Sequence, residues 1–159
     1  MKATVVYIFD PEYKEVLMVL KAYGPYPGKW CGLGGKIEPG ETETQSAIRE
    51  CKEETEGKIV LENPKLLKTE IHPDDGVGRN SGLHLSVFYA THPKVEITSN
   101  REGIYVWQSL KFALNFNSRA HAGFADNALF IREILNKEGI QDFYKQKPES
   151  PSWVREYLH

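Results

Sequence analysis

Cysteine is scarce in this sequence, with only Cys31 and Cys51 present. Their separation matches no metal-ligand spacing, so a cysteine metal site is excluded. Two reduced thiols of a cytoplasmic protein is the reading adopted; a disulfide between them stays open, though nothing requires one. An excess of charge of one sign is missing too. Twenty Lys and Arg face 22 Asp and Glu, for a net charge of −2, whereas a general nucleic-acid binder carries a basic surplus. No apolar run approaches membrane-spanning length. The opening MKATVVYIFDPEYKE is expected not to be a signal peptide, because its apolar stretch meets Asp10 and Pro11 without a small-residue cleavage site. Internal repeats and low-complexity linkers are likewise absent. What is left is a chain of 159 residues, 40% hydrophobic and 26% charged, the profile of one globular domain with its own core. It is expected to span 1–159, with a core over about 1–137 and a tail, 138–159, docked on it through Trp153, Val154, Tyr157 and Leu158. Oligomeric state is left open, a homo-oligomer included.

Residues 3–9 and 15–21 are aliphatic and β-branched runs joined at Asp10-Pro11, and they predict two adjacent buried strands. The loop AYGPYPGKW follows, then a stretch over 30–37 holding Gly32, Gly34 and Gly35, where the backbone turns tightly or approaches something closely. Thr42 with Gln45 predicts a capping box, Gly57 a stop, and Ala47, Ile48 and Cys51 an apolar stripe, which together mark a helix over 44–55. Further strands are predicted over 58–61, 66–72, 83–91 and 103–108. A second helix is predicted over 125–137, with Leu129, Phe130, Ile134 and Leu135 inward. Strands mixed with helices without regular alternation imply an α/β fold, a mixed sheet covered by helices.

The first helix carries the chemical signal. Glu50 shares a face with Glu53 and Glu54. Like charges at these spacings each cost an isolated helix roughly 0.2–0.5 kcal/mol, and the C-terminal end of a helix disfavours anions. A solvated acidic surface accounts for such a cluster when it stands alone. A hard divalent cation would reverse the penalty, since Mg²⁺ takes oxygen ligands and is shared between carboxylates and substrate phosphates. The segment in front, GLGGKIEPGE, can bring backbone N–H groups near an anion and hold Glu41 against the helix.

Together, GGKIEPGETETQSAIRECKEETEG resembles the signature of the Nudix hydrolases. Gly35 opens that pattern, Glu41 follows, and Arg49, Glu50, Cys51, Glu53 and Glu54 stand at the required offsets. One position departs: Glu56 stands where the family has its last glycine, and Gly57 comes one residue late. A helix end altered by one residue, with Gly57 left-handed, accounts for this. The resemblance extends over Met1 to about Lys137 and implies an α/β/α sandwich.

It further implies hydrolysis of compounds in which a nucleoside diphosphate is linked to another group. Glu50, Glu53 and Glu54 would ligate Mg²⁺ or Mn²⁺, with Arg49 orienting them and Glu41 as its partner. Glu54 is the first choice for general base and Glu102 the second; Asp74 and Asp75 are weaker candidates. The wording around Gly34 and Gly35 is similar to the MutT-like subgroup, which converts nucleoside triphosphates, including oxidised purine nucleotides, to monophosphate and pyrophosphate. ADP-ribose, dinucleoside polyphosphates and capped RNA ends stay open, as does a binding module without chemistry. Tyr23, Tyr26 and Phe88 are candidates for stacking on a base, and Asn115, Asn117, Asp126 and Asn127 for reading its edge. The five histidines are scattered without ligand spacing and read as structural or exposed, as Cys51 reads as a core residue.

Overall fold

The computed structural model describes residues 1–23, 28–76, 81–116 and 127–140. Seven strands form one mixed sheet: β1 (Lys2–Phe9), β2 (Glu15–Lys21), β3 (Trp30–Cys31), β4 (Leu33–Lys36), β5 (Lys65–Ile71), β6 (His84–Thr91) and β7 (Gly103–Ser109). The described helices are α1 (Glu43–Glu54), α2 (Leu110–Phe116) and α3 (Asn127–Lys137).

β1 is the hinge of the sheet. It runs parallel to β6 along its whole length, while its other edge is shared. The first half, Ala3 to Val6, pairs with β4, and only Ile8 and Phe9 pair with β2. Beyond its short pairing with β1, β2 pairs with β3 at Val19 and Leu20, while β7 pairs with β2 from Glu15 to Lys21.

Alternation along the strands divides the core in two, because successive side chains leave a strand on opposite faces. Val5, Tyr7 and Phe9 pack with Leu85, Val87 and the helices α2 and α3. Val6, Ile8, Leu17 and Val19 pack on the other face with Ala47 and Cys51 of α1. The architecture is thus helix, sheet, helix. Among the described residues, no helix is long and apolar enough to cross a membrane.

Two local expectations need correction, and two further elements add to the sequence reading. Residues 58–61 form no strand, since the Lys58 and Ile59 amides bond back to Thr55 rather than to a neighbouring strand. The glycine stretch 30–37, for which no strand was expected, contains the short strands β3 and β4. Helix α2 was not predicted; it is one short turn pair whose Phe112 amide donates to Ser109 Oγ and which buries Leu110, Phe112 and Ala113. On α3, Leu129 faces outward at 43% exposure, and Ile131 takes the inner position. Residues 125–126 of the expected second helix lie outside the described residues, as does the tail beyond Ile140, which itself packs against the α2–α3 side of the core.

Candidate active site

Helix α1 starts with a reciprocal cap. Gln45 N–H donates to Thr42 Oγ1 at 3.1 Å, and Thr42 N–H donates to Gln45 Oε1 at 2.8 Å. Two otherwise orphaned donors are satisfied, so the first turn is set before any tertiary contact forms.

One turn further along, Arg49 is the hub of an acidic network. Its Nε and Nη2 donate to the two oxygens of Glu41 at 2.6 and 3.0 Å. Its Nη1 reaches Glu50 at 3.0 Å and Glu53 at 3.2 Å, and Nη2 also donates to the Lys36 carbonyl at 3.1 Å. Bidentate charge-assisted bonds of this kind are strong and directional. They hold the Glu41 carboxyl down at about 2. Arg49 is itself pushed further up by Glu41 and Glu50, and stays charged at any accessible pH.

The three helix carboxylates have different surroundings. Glu53 points to solvent, with 60% of its side chain exposed. Glu50 lies beside Gly35, where an added Cβ would come within 2.6 Å of its Oε1. A side chain at residue 35 would therefore displace the carboxylate, which explains the glycine at that position better than any turn does. Burial raises Glu50 above the ordinary carboxylate value, against the opposing pull of Arg49.

Glu54 turns inward and is only 6% exposed. Gly34 supplies it a backbone hydrogen bond, yet its Oε2 is buried without a partner. Burial raises its pKa to about 8; Lys21 opposes the rise, and Glu50 and Glu102 add to it. An unpartnered buried oxygen is costly and marks a place where a proton, a metal ion or a substrate atom is expected.

Across from α1, the turn 100–103 presents Arg101 and Glu102. With Glu50, Glu53, Glu54 and Glu56 they line an open cleft of about 470 Å³. Glu102 carries an ion pair to Lys21 at 3.4 Å. Burial would lower Lys21, but Cys31, Glu54 and Glu102 together outweigh it and hold the ammonium charged. Lys21, Asn100 and Arg101 were not singled out from sequence. Lys21 is a lone cation closing an apolar strand, and Asn100 to Gly103 had only the signal of a turn. Glu56, expected beyond the ligand face, lines the same cleft and is left-handed at φ 53°, next to Gly57 at φ 82°.

The donor chemistry fits a hard cation: carboxylate oxygens throughout, one of them buried and unsatisfied. The ligands are not gathered, however. No three His, Cys, Asp or Glu side chains among the described residues stand as a ready metal cage, because Arg49 is spread between Glu50 and Glu53.

Two expected base contacts are corrected. Phe88 is 2% exposed within the α1 side of the core, so its ring offers no face to a ligand. Asn127 is fully buried; its Oδ1 accepts from Tyr7 Oη at 2.7 Å and its Nδ2 donates to the Trp30 carbonyl at 2.8 Å. It locks α3 onto the sheet. Tyr23 is exposed beside the end of β2. Asp74 and Asp75 accept hydrogen bonds from Ser81 Oγ within their own loop and are not among the residues lining the cleft. Tyr26, Asn117 and Asp126, and the side chain of Asn115, lie outside the described residues. Both cysteines are buried free thiols; burial pushes Cys31 up to about 12 and Cys51 well above its ordinary value, so neither is a nucleophile.

A family model for the NUDIX domain matches residues 1–125. Among solved structures, a MutT protein from Bacillus halodurans is 28% identical, with 84% of this chain and 81% of that one covered and a TM-score of 0.62. The Nudix domain of Shewanella oneidensis NrtR, solved in complex with ADP ribose, is 18% identical over 87% of this chain and 88% of its own, with a TM-score of 0.67. An Ap4A hydrolase from C. elegans is 23% identical over 87% and 97% of the two chains, with a TM-score of 0.62. The last two likenesses concern the fold alone. With a family match over residues 1–125 and Glu50, Glu53 and Glu54 all lining one cleft, the chain belongs to the Nudix family of hydrolases.

Proposed function

We propose that the chain is a Mg²⁺- or Mn²⁺-dependent pyrophosphohydrolase that converts a nucleoside triphosphate to monophosphate and pyrophosphate, with oxidised purine nucleotides among the candidate substrates. The observation that carries the reading is Glu54, a buried carboxylate with an unpartnered oxygen, in a cleft shared with Glu50, Glu53 and Glu102.

Glu50, Glu53 and Glu54 are the residues that would hold the metal. When bound, the ion neutralises the phosphate chain and lowers the pKa of water beside it. Arg49 keeps Glu50 and Glu53 aligned. The family resemblance made Glu54 the first choice for base, but its burial suits a ligand better. Glu102, on the facing rim and 46% exposed, suits the proton acceptor. Water attacks an inner phosphorus, its proton passes to the Glu102 carboxylate, and the bond to the bridging oxygen breaks to release pyrophosphate. Lys21 limits the electrostatic repulsion between Glu102 and the incoming anion, and Arg101 adds a second cation at the cleft.

The two buried free thiols support a reducing, cytoplasmic setting, and the near-neutral charge supports a small-molecule substrate over general nucleic-acid binding. The test is a screen of nucleoside triphosphates, ADP-ribose and dinucleoside polyphosphates in ¹⁸O-water with Mg²⁺ or Mn²⁺. Monophosphate and pyrophosphate are expected from triphosphates. Orthophosphate as the only small product refutes the register, and fast turnover of ADP-ribose beside idle triphosphates refutes the substrate class.

A further inference from the structure

We propose that Asn100 is a positioning residue for hydrolysis: its carboxamide fastens the last turn of α1 to the turn that carries Glu102, and so sets the spacing between the two walls of the cleft. The inference rests on the function proposed above, with Glu102 as proton acceptor.

Asn100 Nδ2 donates to the Glu54 backbone carbonyl at 2.9 Å, across 46 residues of sequence. That carbonyl belongs to the last turn of α1, where the helix supplies no donor of its own. On its other side, Asn100 Oδ1 accepts from Glu102 N–H at 2.8 Å. The turn is closed independently by paired backbone bonds between Asn100 and Gly103 at 3.1 and 3.2 Å. Glu102 is tied once more to β2, through its carbonyl to Ala22 N–H at 2.9 Å. One side chain thus joins the backbone of the inward carboxylate to the backbone of the facing one.

Asparagine has the chemistry for this. A carboxamide offers a donor and an acceptor on one short planar group. Aspartate would set an anion against the Glu54 carbonyl, serine has a single hydroxyl for two distant partners, and alanine has neither group. Without the fastening, the Glu102 turn and the α1 terminus lose a direct hydrogen-bonded tie. A displacement of about 1 Å between reacting groups can cost on the order of 10²-fold in rate.

The experiment measures kcat and KM of Asn100→Ala with Mg²⁺ and the preferred nucleotide, the Mn²⁺ dissociation constant of substrate-free protein, and amide exchange of Glu102. The same substitution is repeated in a Glu102→Gln background. We expect kcat of Asn100→Ala to fall by about tenfold to a hundredfold, with KM and the Mn²⁺ constant changing far less than kcat, since the α1 cap and the Arg49 network stay in place. Glu102 exchange is expected to accelerate, and in the Glu102→Gln background the substitution is expected to cost almost nothing further. Asn100→Ser, which keeps the acceptor for Glu102 N–H, is expected to fall between and serves if the alanine variant does not fold. Wild-type kcat, an equal loss in the Glu102→Gln background, or unchanged Glu102 exchange overturns the proposal. Glu102→Gln at full rate refutes the base assignment instead, and a wild-type chain idle on every nucleotide refutes the functional reading, in which case amide exchange alone decides whether the fastening exists.

Discussion

Arg49 grips Glu41 with two nitrogens, at 2.6 and 3.0 Å, and the same guanidinium reaches on to Glu50 and Glu53. Glu41 is thus the counter-charge that lets Arg49 orient the carboxylates on α1 without being drawn wholly onto either of them. The relationship spans eight residues and crosses the turn before the helix.

Its pH dependence has a definite sign. Glu41 sits at about 2 in the folded chain against an ordinary 4.5, so the unfolded chain binds more protons between those values. The stability due to the pair is present above pH 4.5 and is lost as pH falls toward 2. Urea unfolding of wild type and Glu41→Gln should therefore converge as the solution is acidified. A gap that is constant from pH 7 to the acid limit would show that the pair contributes through shape and not through charge.

Glu54 has the opposite sign. With its folded value near 8 and its ordinary one at 4.5, the metal-free folded chain holds the extra proton between them. Stability of EDTA-treated protein should fall as pH rises through that window. Glu54→Gln should flatten the decline and melt higher than wild type at pH 8, while lowering kcat by about 10²-fold or more. Parallel losses of stability and activity in this variant would be inconsistent with a carboxylate kept for chemistry.

Mg²⁺ or Mn²⁺ should raise the melting temperature, since a ligand of the native state at a hundred times its dissociation constant adds about 2.7 kcal/mol. Below pH 8, binding should release a proton from Glu54, readable by calorimetry in buffers of different ionisation enthalpy. Hydrolysis that survives exhaustive chelation, or a melting temperature indifferent to metal, would rule this out. Glu53→Gln should weaken metal binding and leave the fold intact, because that side chain is exposed.

Glu56 occupies a left-handed conformation at φ 53°, which costs a residue with a Cβ roughly 1–2 kcal/mol relative to the right-handed region. Replacement by glycine removes that strain but loosens the unfolded chain by about 0.4–1 kcal/mol. Glu56→Gly should therefore be more stable by about 0.5–1 kcal/mol, and its kcat should stay within a small factor. A destabilised variant would show that the Glu56 side chain holds the helix exit, and a large gain in rate would favour a weakened enzyme used for binding.

What the sequence determined by itself was local. Thr42 and Gln45 cap a helix because their partners lie three residues apart. Glu50 shares a face with Glu53 and Glu54, and Arg49 stands one turn before Glu53, because of helical periodicity, and the aliphatic runs of β1 and β2 read as buried strands. Each of these follows from interactions between near neighbours, which spacing records. The family followed from the same short stretch. Tertiary structure decided which glutamate turns inward. Nothing in the spacing separates Glu53, which faces water, from Glu54, which turns inward and is buried. Packing also took Phe88 into the core and set Asn127 between Tyr7 and Trp30, two residues whose types suggested a nucleobase pocket. The pairing of Asn100 with the end of α1 bridges residues 46 apart. Such contacts depend on how the whole sheet closes, with β1 divided between β4 and β2, and burial of that kind is a property of the assembled core that no local pattern carries.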